Sequence, residues 1–163
     1  QRYRSLAAQQ NFRAFSLCSA GRNTESLRFV IHTAAQHIRF YLKSLRAFLG
    51  PRISLRVSII DLSPGSRGEP LLSAASGTLR KEFSDIDVCL ERVQPKRQYY
   101  KELRFKIYGT PVGGGEMELI DGGDTDWAQK LLNNAKERLV TSGIGSERLC
   151  QGFAPISRSS PSG

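Results

Sequence analysis

The chain is 163 residues long, 39% hydrophobic and 24% charged, with 24 Lys and Arg against 15 Asp and Glu. That length supports one domain with a modest core plus tails. The net charge of +9 and pI near 9.9 point to a polyanionic partner, RNA or an anionic membrane, or else to a soluble organellar protein with a basic surface. Cys18, Cys89 and Cys150 lie far apart with no CxxC spacing, and with only His32 and His37 beside them they argue against structural zinc. Neither histidine sits near a nucleophile motif, so a nucleophilic triad finds no support. No apolar run approaches the roughly 18–20 residues that cross a bilayer.

Residues 1–24 hold Arg2, Arg4, Arg13 and Arg22 and no Asp or Glu before position 25. An acid-free opening containing Arg and Ser is what an organellar targeting segment looks like. Within it "RAFS" (13–16) resembles a mitochondrial processing site. Residues 1–23 are therefore expected to be a targeting or disordered basic arm, the alternative being an arm that binds RNA. The sequence opens on Gln rather than Met and is expected to continue upstream of Gln1. At the other end, residues 154–163 have no apolar periodicity and are expected to be disordered. A single domain is left over 24–153.

In that domain, residues 25–49 predict a long amphipathic helix. Leu27, Val30, Ile31, Ala34, Ile38, Tyr41, Leu42, Leu45 and Phe48 form its apolar stripe. Asn23 or Thr24 is placed to cap it, and Gly50-Pro51 to stop it. Its opposite face carries Arg28, His32, Gln36, Arg39, Lys43 and Arg46 without a carboxylate, a row that can track a phosphate backbone or simply be solvated. Arg28, Arg39, Lys43 and Arg46 are the RNA-contact candidates.

The alternation of Ile53, Leu55, Val57 and Ile59 predicts a half-buried strand over 52–60. A loop follows, then a short helix over 70–81 weakened by Gly77, and a strand over 85–93. "YYKELRFKIYG" (99–109) reads as a third strand, placing Tyr99 and Tyr100 on opposite faces so that only Tyr100 lines a pocket. "EMELID" (116–121) pairs with it as a hairpin. The Gly122-Gly123 pair reads as a turn. Asp124 or Thr125 then caps a helix over 126–140, buried through Trp127, Leu131, Leu132, Ala135 and Leu139, with Trp127 as its core anchor. Clustered strands make this an α+β domain, a mainly antiparallel sheet with helices on one face.

Three segments, "RQYYKELRFKIYG", "IDGGDTDWAQKLL" and "SGIGSERL", resemble in that order parts of histidyl-tRNA synthetase-like proteins. They cover residues 97–150, about a third of the chain. The regulatory paralogue of ATP phosphoribosyltransferase shares the frame. The resemblance implies a partial class II synthetase-like core. It places Tyr99, Tyr100 and Phe105 on the family's aromatic positions and Gly122, Gly123 and Asp126 on its glycine-aspartate motif. Gly143, Gly145, Glu147 and Arg148 fall on its last signature, whose arginine contacts ATP phosphates. Tyr100, Gly122, Gly123 and Asp126 thus frame a pocket, and Gly143, Gly145, Glu147 and Arg148 are the nucleotide-binding candidates.

The departures are as informative. Pro95 stands for an activating arginine, Glu102 for a glycine, Lys106 for an acid and Asp124 for a basic residue. The first two class II signatures have no counterpart. Asp121 and Asp126 could hold Mg²⁺ or an amine, or serve as turn and cap residues.

Together these observations predict a non-catalytic synthetase-like module. It would be a structural or RNA-contacting subunit of a large assembly in the mitochondrial matrix, the mitochondrial ribosome being the candidate, with no cofactor and no metal. RNA, protein subunits, or another chain completing the sheet are its expected partners. The alternatives are a nucleotide-using, adenylating enzyme, for which alone ATP and Mg²⁺ are expected, and a metabolite-binding regulatory subunit of a catalytic partner.

Overall fold

The computed structural model of the chain describes residues 13–22, 27–51, 53–93 and 99–153. The predicted Asn23/Thr24 cap, Pro95 and the tail over 154–163 lie outside them, as do residues 1–12.

The amphipathic segment forms helix α1, Arg28–Leu49, starting after Leu27 in a left-handed conformation with no side-chain cap. Val30, Ile31, Ala34, Ile38, Tyr41, Leu42 and Leu45 are buried as the spacing predicts. Phe48 is not; it is 64% exposed, at an apolar groove it lines with Phe15, Phe40 and Leu149. Strand β2, Ser54–Asp61, carries Leu55, Val57 and Ile59 into the core. It is more than half-buried, because Ser58, Ile60 and Asp61 are buried as well. Helix α2, Glu69–Glu82, returns the chain to β3, Asp87–Arg92, parallel to β2. Every other strand pairing is antiparallel.

Strand β4, Leu103–Thr110, alternates cleanly, burying Leu103, Phe105 and Ile107. Strand β5 runs Met117–Thr125, so Gly122 and Gly123 lie inside a strand rather than in a turn. Neither has a positive φ. Their reason for being glycine is proximity: a Cβ on Gly122 would stand 2.5 Å from Phe105 Cζ, and one on Gly123 would stand 2.3 Å from the Leu103 carbonyl oxygen.

The helix predicted over 126–140 is instead one five-residue turn, α3, Trp127–Leu131. The chain reverses through Asn133, at φ 47°, and continues as strand β6, Glu137–Gly145, followed by helix α4, Ser146–Phe153. Five residues are too few to present an apolar stripe, and Trp127, Leu131 and Leu132 are all exposed.

Part of the stretch expected to be an arm over 1–23 is a strand instead. Ala14–Arg22 form strand β1, which lies along β6 over nine residues from Ala14↔Gly145 to Arg22↔Glu137. The sheet order is β1-β6-β5-β4-β2-β3. Its core lies between the sheet and α1, with α2 over β2 and β3. No helix of the described residues is long and apolar enough to cross a membrane.

Candidate functional site

Because side chains alternate along a strand, burying Phe105, Val140 and Ser142 against α1 turns their neighbours to the other face. Arg104 of β4, Asp121 of β5, Thr141 and Gly143 of β6, and Ala14 and Ser16 of β1 meet there. With Tyr99 and Tyr100 they line a cleft of about 520 Å³.

The charged groups of the cleft are paired. Arg104 grips Asp121 bidentately, Nε to Oδ1 at 2.8 Å and Nη2 to Oδ2 at 3.0 Å. The same guanidinium lies 5.6 Å from the Tyr100 ring centre. Burial pushes the Tyr100 phenol up, and the neighbouring Asp121 charge adds to the effect. The rest of this face is built alike. Lys106 donates to Glu118 at 2.6 Å and Arg56 to Glu116 at 2.8 and 2.7 Å, with Arg56 stacked 4.2 Å over Tyr108. Charged and desolvated on one side, each cation of this face has its acid on a neighbouring strand or loop.

Tyr99 and Tyr100 precede β4 rather than lying in it, so strand alternation does not separate them. Both line the cleft, their rings edge to face at 4.9 Å, and Trp127 meets Tyr99 the same way at 5.3 Å. This arrangement corrects two expectations: Tyr99 belongs to the pocket with Tyr100, and Trp127 is a surface ring rather than a core anchor.

Asp124 holds that aromatic segment in place. Its buried Oδ1 accepts the backbone N–H of Glu102 (2.9 Å) and of Leu103 (2.8 Å). Its carbonyl accepts Lys101 N–H at 3.1 Å. Burial raises its carboxyl pKa, while the two N–H bonds pull the other way. Glu102 beside it is raised chiefly by burial and then by Asp124, and its Oε2 is buried without a hydrogen-bond partner among the described residues.

The folded Glu102 carboxyl therefore keeps its proton to higher pH than the unfolded one. Its contribution to stability is present at low pH and is lost as pH rises from the ordinary carboxylate range through the raised value. We expect Glu102→Gln to stabilise the protein by ~1 kcal/mol at neutral pH and to flatten that part of the pH–stability curve. Urea titrations of both proteins from pH 4 to 8 check this; parallel curves would refute it.

The candidates from the last signature fall elsewhere. Gly143 lines the cleft, but Gly145, Glu147 and Arg148 do not. Glu147 accepts the Arg13 N–H on both carboxylate oxygens at 2.9 Å, fastening the start of β1, and Arg148 Nη1 donates to the Glu118 carbonyl at 3.1 Å. Asp126 is held by Lys101 at 3.2 Å and Lys130 at 2.9 Å, apart from the Arg104-paired Asp121. Among the described residues no group of three or more His, Cys, Asp and Glu could hold a metal ion.

The basic row on α1 is largely engaged as well. Arg39 (2.6 Å) and Lys43 (3.4 Å) share Glu82. Arg46 pairs with Asp85 and donates to the carbonyls of Pro51 and Ile53. Arg28 lines a shallow groove between α1 and α2 with Ile31, His32, Ala35 and Leu71. The carboxylates that meet this row lie at the end of α2 and beyond it, out of reach of a reading confined to α1.

Sequence reasoning missed His37. It is buried between the layers, its Nε2 2.9 Å from Ser19 Oγ and its Nδ1 2.9 Å from Ser142 Oγ, and burial lowers its pKa. A neutral ring donates to one hydroxyl and accepts from the other, tying α1 to both β1 and β6. Among the described residues both ring nitrogens are bonded to hydroxyls, and no carboxylate is bonded to the ring. Its position on the α1 core stripe, three residues after Ala34, was the available signal.

No family profile and no curated protein matches the chain. Solved structures do. Apo histidyl-tRNA synthetase from S. aureus superposes with a TM-score of 0.58 at 15% identity, over 86% of this chain and 39% of that one. A structure solved as the RNA binding domain of threonyl-tRNA synthetase from Cryptosporidium parvum Iowa II superposes with a TM-score of 0.54 at 12% identity, over 87% of this chain and 37% of that one. The chain thus spans less than two fifths of the length of either. At such identities the likeness concerns the backbone frame: this chain has an α+β, class II synthetase-like fold.

Proposed function

We propose that the chain is a non-catalytic synthetase-like module that contacts RNA as a subunit of a large mitochondrial assembly, the mitochondrial ribosome being the candidate. The observation that carries the reading is the use made of the last signature. Glu147 fastens the backbone of Arg13 and Arg148 donates to the backbone of Glu118, contacts within the frame that support a non-catalytic reading. The net charge of +9 supports an anionic partner, and one solved domain of this fold is described by its binding of RNA. Import rests on the acid-free opening. A processing cut within 13–16 would fall at the start of β1. Strand β1, paired on one side by β6 among the described residues, offers the edge at which another chain would complete the sheet.

Sedimentation of the tagged protein from gently lysed mitochondria, with and without RNase, tests this. Migration with a large particle that RNase disperses is the expected result. A small species indifferent to RNase would sink it.

The cleft favours a second reading, a metabolite-binding regulatory module. A paired cation and anion beneath two tyrosines suits a small zwitterion. Calorimetric binding of free amino acids in the absence of RNA would select it.

A further inference from the structure

Trp127 is 53% exposed and Tyr99 is 52% exposed, in a chain whose other ring of this corner, Tyr100, is half-buried. Large rings left in water forfeit burial energy that the core would have supplied. They stand edge to face at 5.3 Å, with Tyr100 against Tyr99 in turn, and more than half of each outer ring's residue is open to solvent and so to another planar group. Beside them Lys101 and Lys130 converge on the single carboxylate of Asp126, two ammonium groups to one acid, and Lys130 is exposed. Exposed rings beside two lysines that share one acid match a ligand whose planar groups are strung on an anionic backbone. A duplex keeps its bases stacked inside and cannot offer them.

We propose that Trp127 and Tyr99 form a stacking platform for an unpaired base of single-stranded RNA, with Lys101 and Lys130 meeting the adjoining phosphates. The inference rests on the RNA-contacting reading above and gives that contact its place. It sits at the rim of the cleft and leaves the Arg104–Asp121 pair intact.

Trp127 is the only tryptophan of the chain, so its emission reports this corner alone. The experiment titrates the full chain with a short labelled oligouridylate, and with a sugar-phosphate oligomer of equal length lacking bases. It follows oligomer anisotropy and Trp127 emission together. The expected result is saturable quenching with the same midpoint as the anisotropy change, and weaker binding without quenching for the abasic oligomer. Trp127→Ala weakens oligouridylate binding by about tenfold and Trp127→Phe keeps most of it. Lys130→Ala lowers the salt dependence without abolishing quenching. Circular dichroism confirms that the variants fold, as an exposed ring requires.

Binding with unchanged emission and an unaffected Trp127→Ala variant would overturn the platform while leaving RNA contact elsewhere on the surface. Absence of any oligomer binding would overturn both. A Trp127→Ala variant that binds oligomer normally but leaves its assembly would assign the corner, with the exposed Leu131 and Leu132, to a protein partner and overturn the platform too.

Discussion

Gly123→Ala is expected to cost the fold about 3 kcal/mol, near the upper end of what overpacking a tight site costs. The new methyl would stand 2.3 Å from the Leu103 carbonyl oxygen and 2.6 Å from Tyr100 Cδ1. The first of these is backbone in a paired strand and cannot swing aside, so β4 and β5 must part locally. Gly122→Ala meets side chains only, Phe105 and Ser142 at 2.5 Å, and is expected to be severe but smaller in effect. Gly77 supplies the control: nothing lies within 4 Å of a Cβ there, and it sits inside α2. Gly77→Ala should stabilise by ~0.5–1 kcal/mol. Urea unfolding of the three variants orders them, and a Gly123→Ala protein as stable as the parent would show that the strands do not approach as described.

Asp124→Ala is the second large effect, again about 3 kcal/mol, because it leaves the N–H groups of Glu102 and Leu103 without an acceptor at a buried position. Asp124→Asn should lie within about 1 kcal/mol of the parent. Its amide oxygen can keep accepting, and the desolvated charge that raises the carboxyl pKa is gone. The pair of variants separates the acceptor from the charge. If Asn proved as damaging as Ala, the charge itself would be what the site needs. Asp124→Ala should also release the segment carrying Tyr99 and Tyr100, which shifts the Trp127 emission that Tyr99 abuts.

The fold was legible wherever one element supplied its own pattern. The stripe from Val30 to Leu45 and the alternations at Leu55–Ile59 and Leu103–Ile107 each declare a period, and the structure keeps it. The segment after the glycine pair misled because Trp127, Leu131, Ala135 and Leu139 fall at helical spacing by coincidence. Asn133 in a left-handed conformation divides them, and Leu139 belongs to a strand. Glycine pairs commonly mark turns; here their meaning lay in Phe105, Ser142 and Leu103, residues of neighbouring strands that no local window contains. Strand β1 has a visible alternation, Phe15 and Leu17 against Ser16 and Cys18, but an acid-free composition drew the reading toward an arm. In the site, the type of residue was readable and the pairing was not: Arg104 with Asp121, and Arg39 with Glu82, form only once the sheet and helices are assembled.

The join between β1 and β6 also governs the order in which the molecule can be made. Arg13 and Glu147, bonded at the end of that join, stand 134 positions apart. The β2–α2–β3 unit and the β4–β5 pair close short loops and can form while the chain is still being synthesised. The early strand touches α1 through Ser19 and His37 but has no strand partner among the described residues until 137–145 emerge, so its pairing is the last of the sheet to form. Sequence separation of this size slows the final step of folding more than it weakens the finished structure. A pulse of hydrogen exchange during refolding should therefore find the β1 amides protected last, well after those of β4.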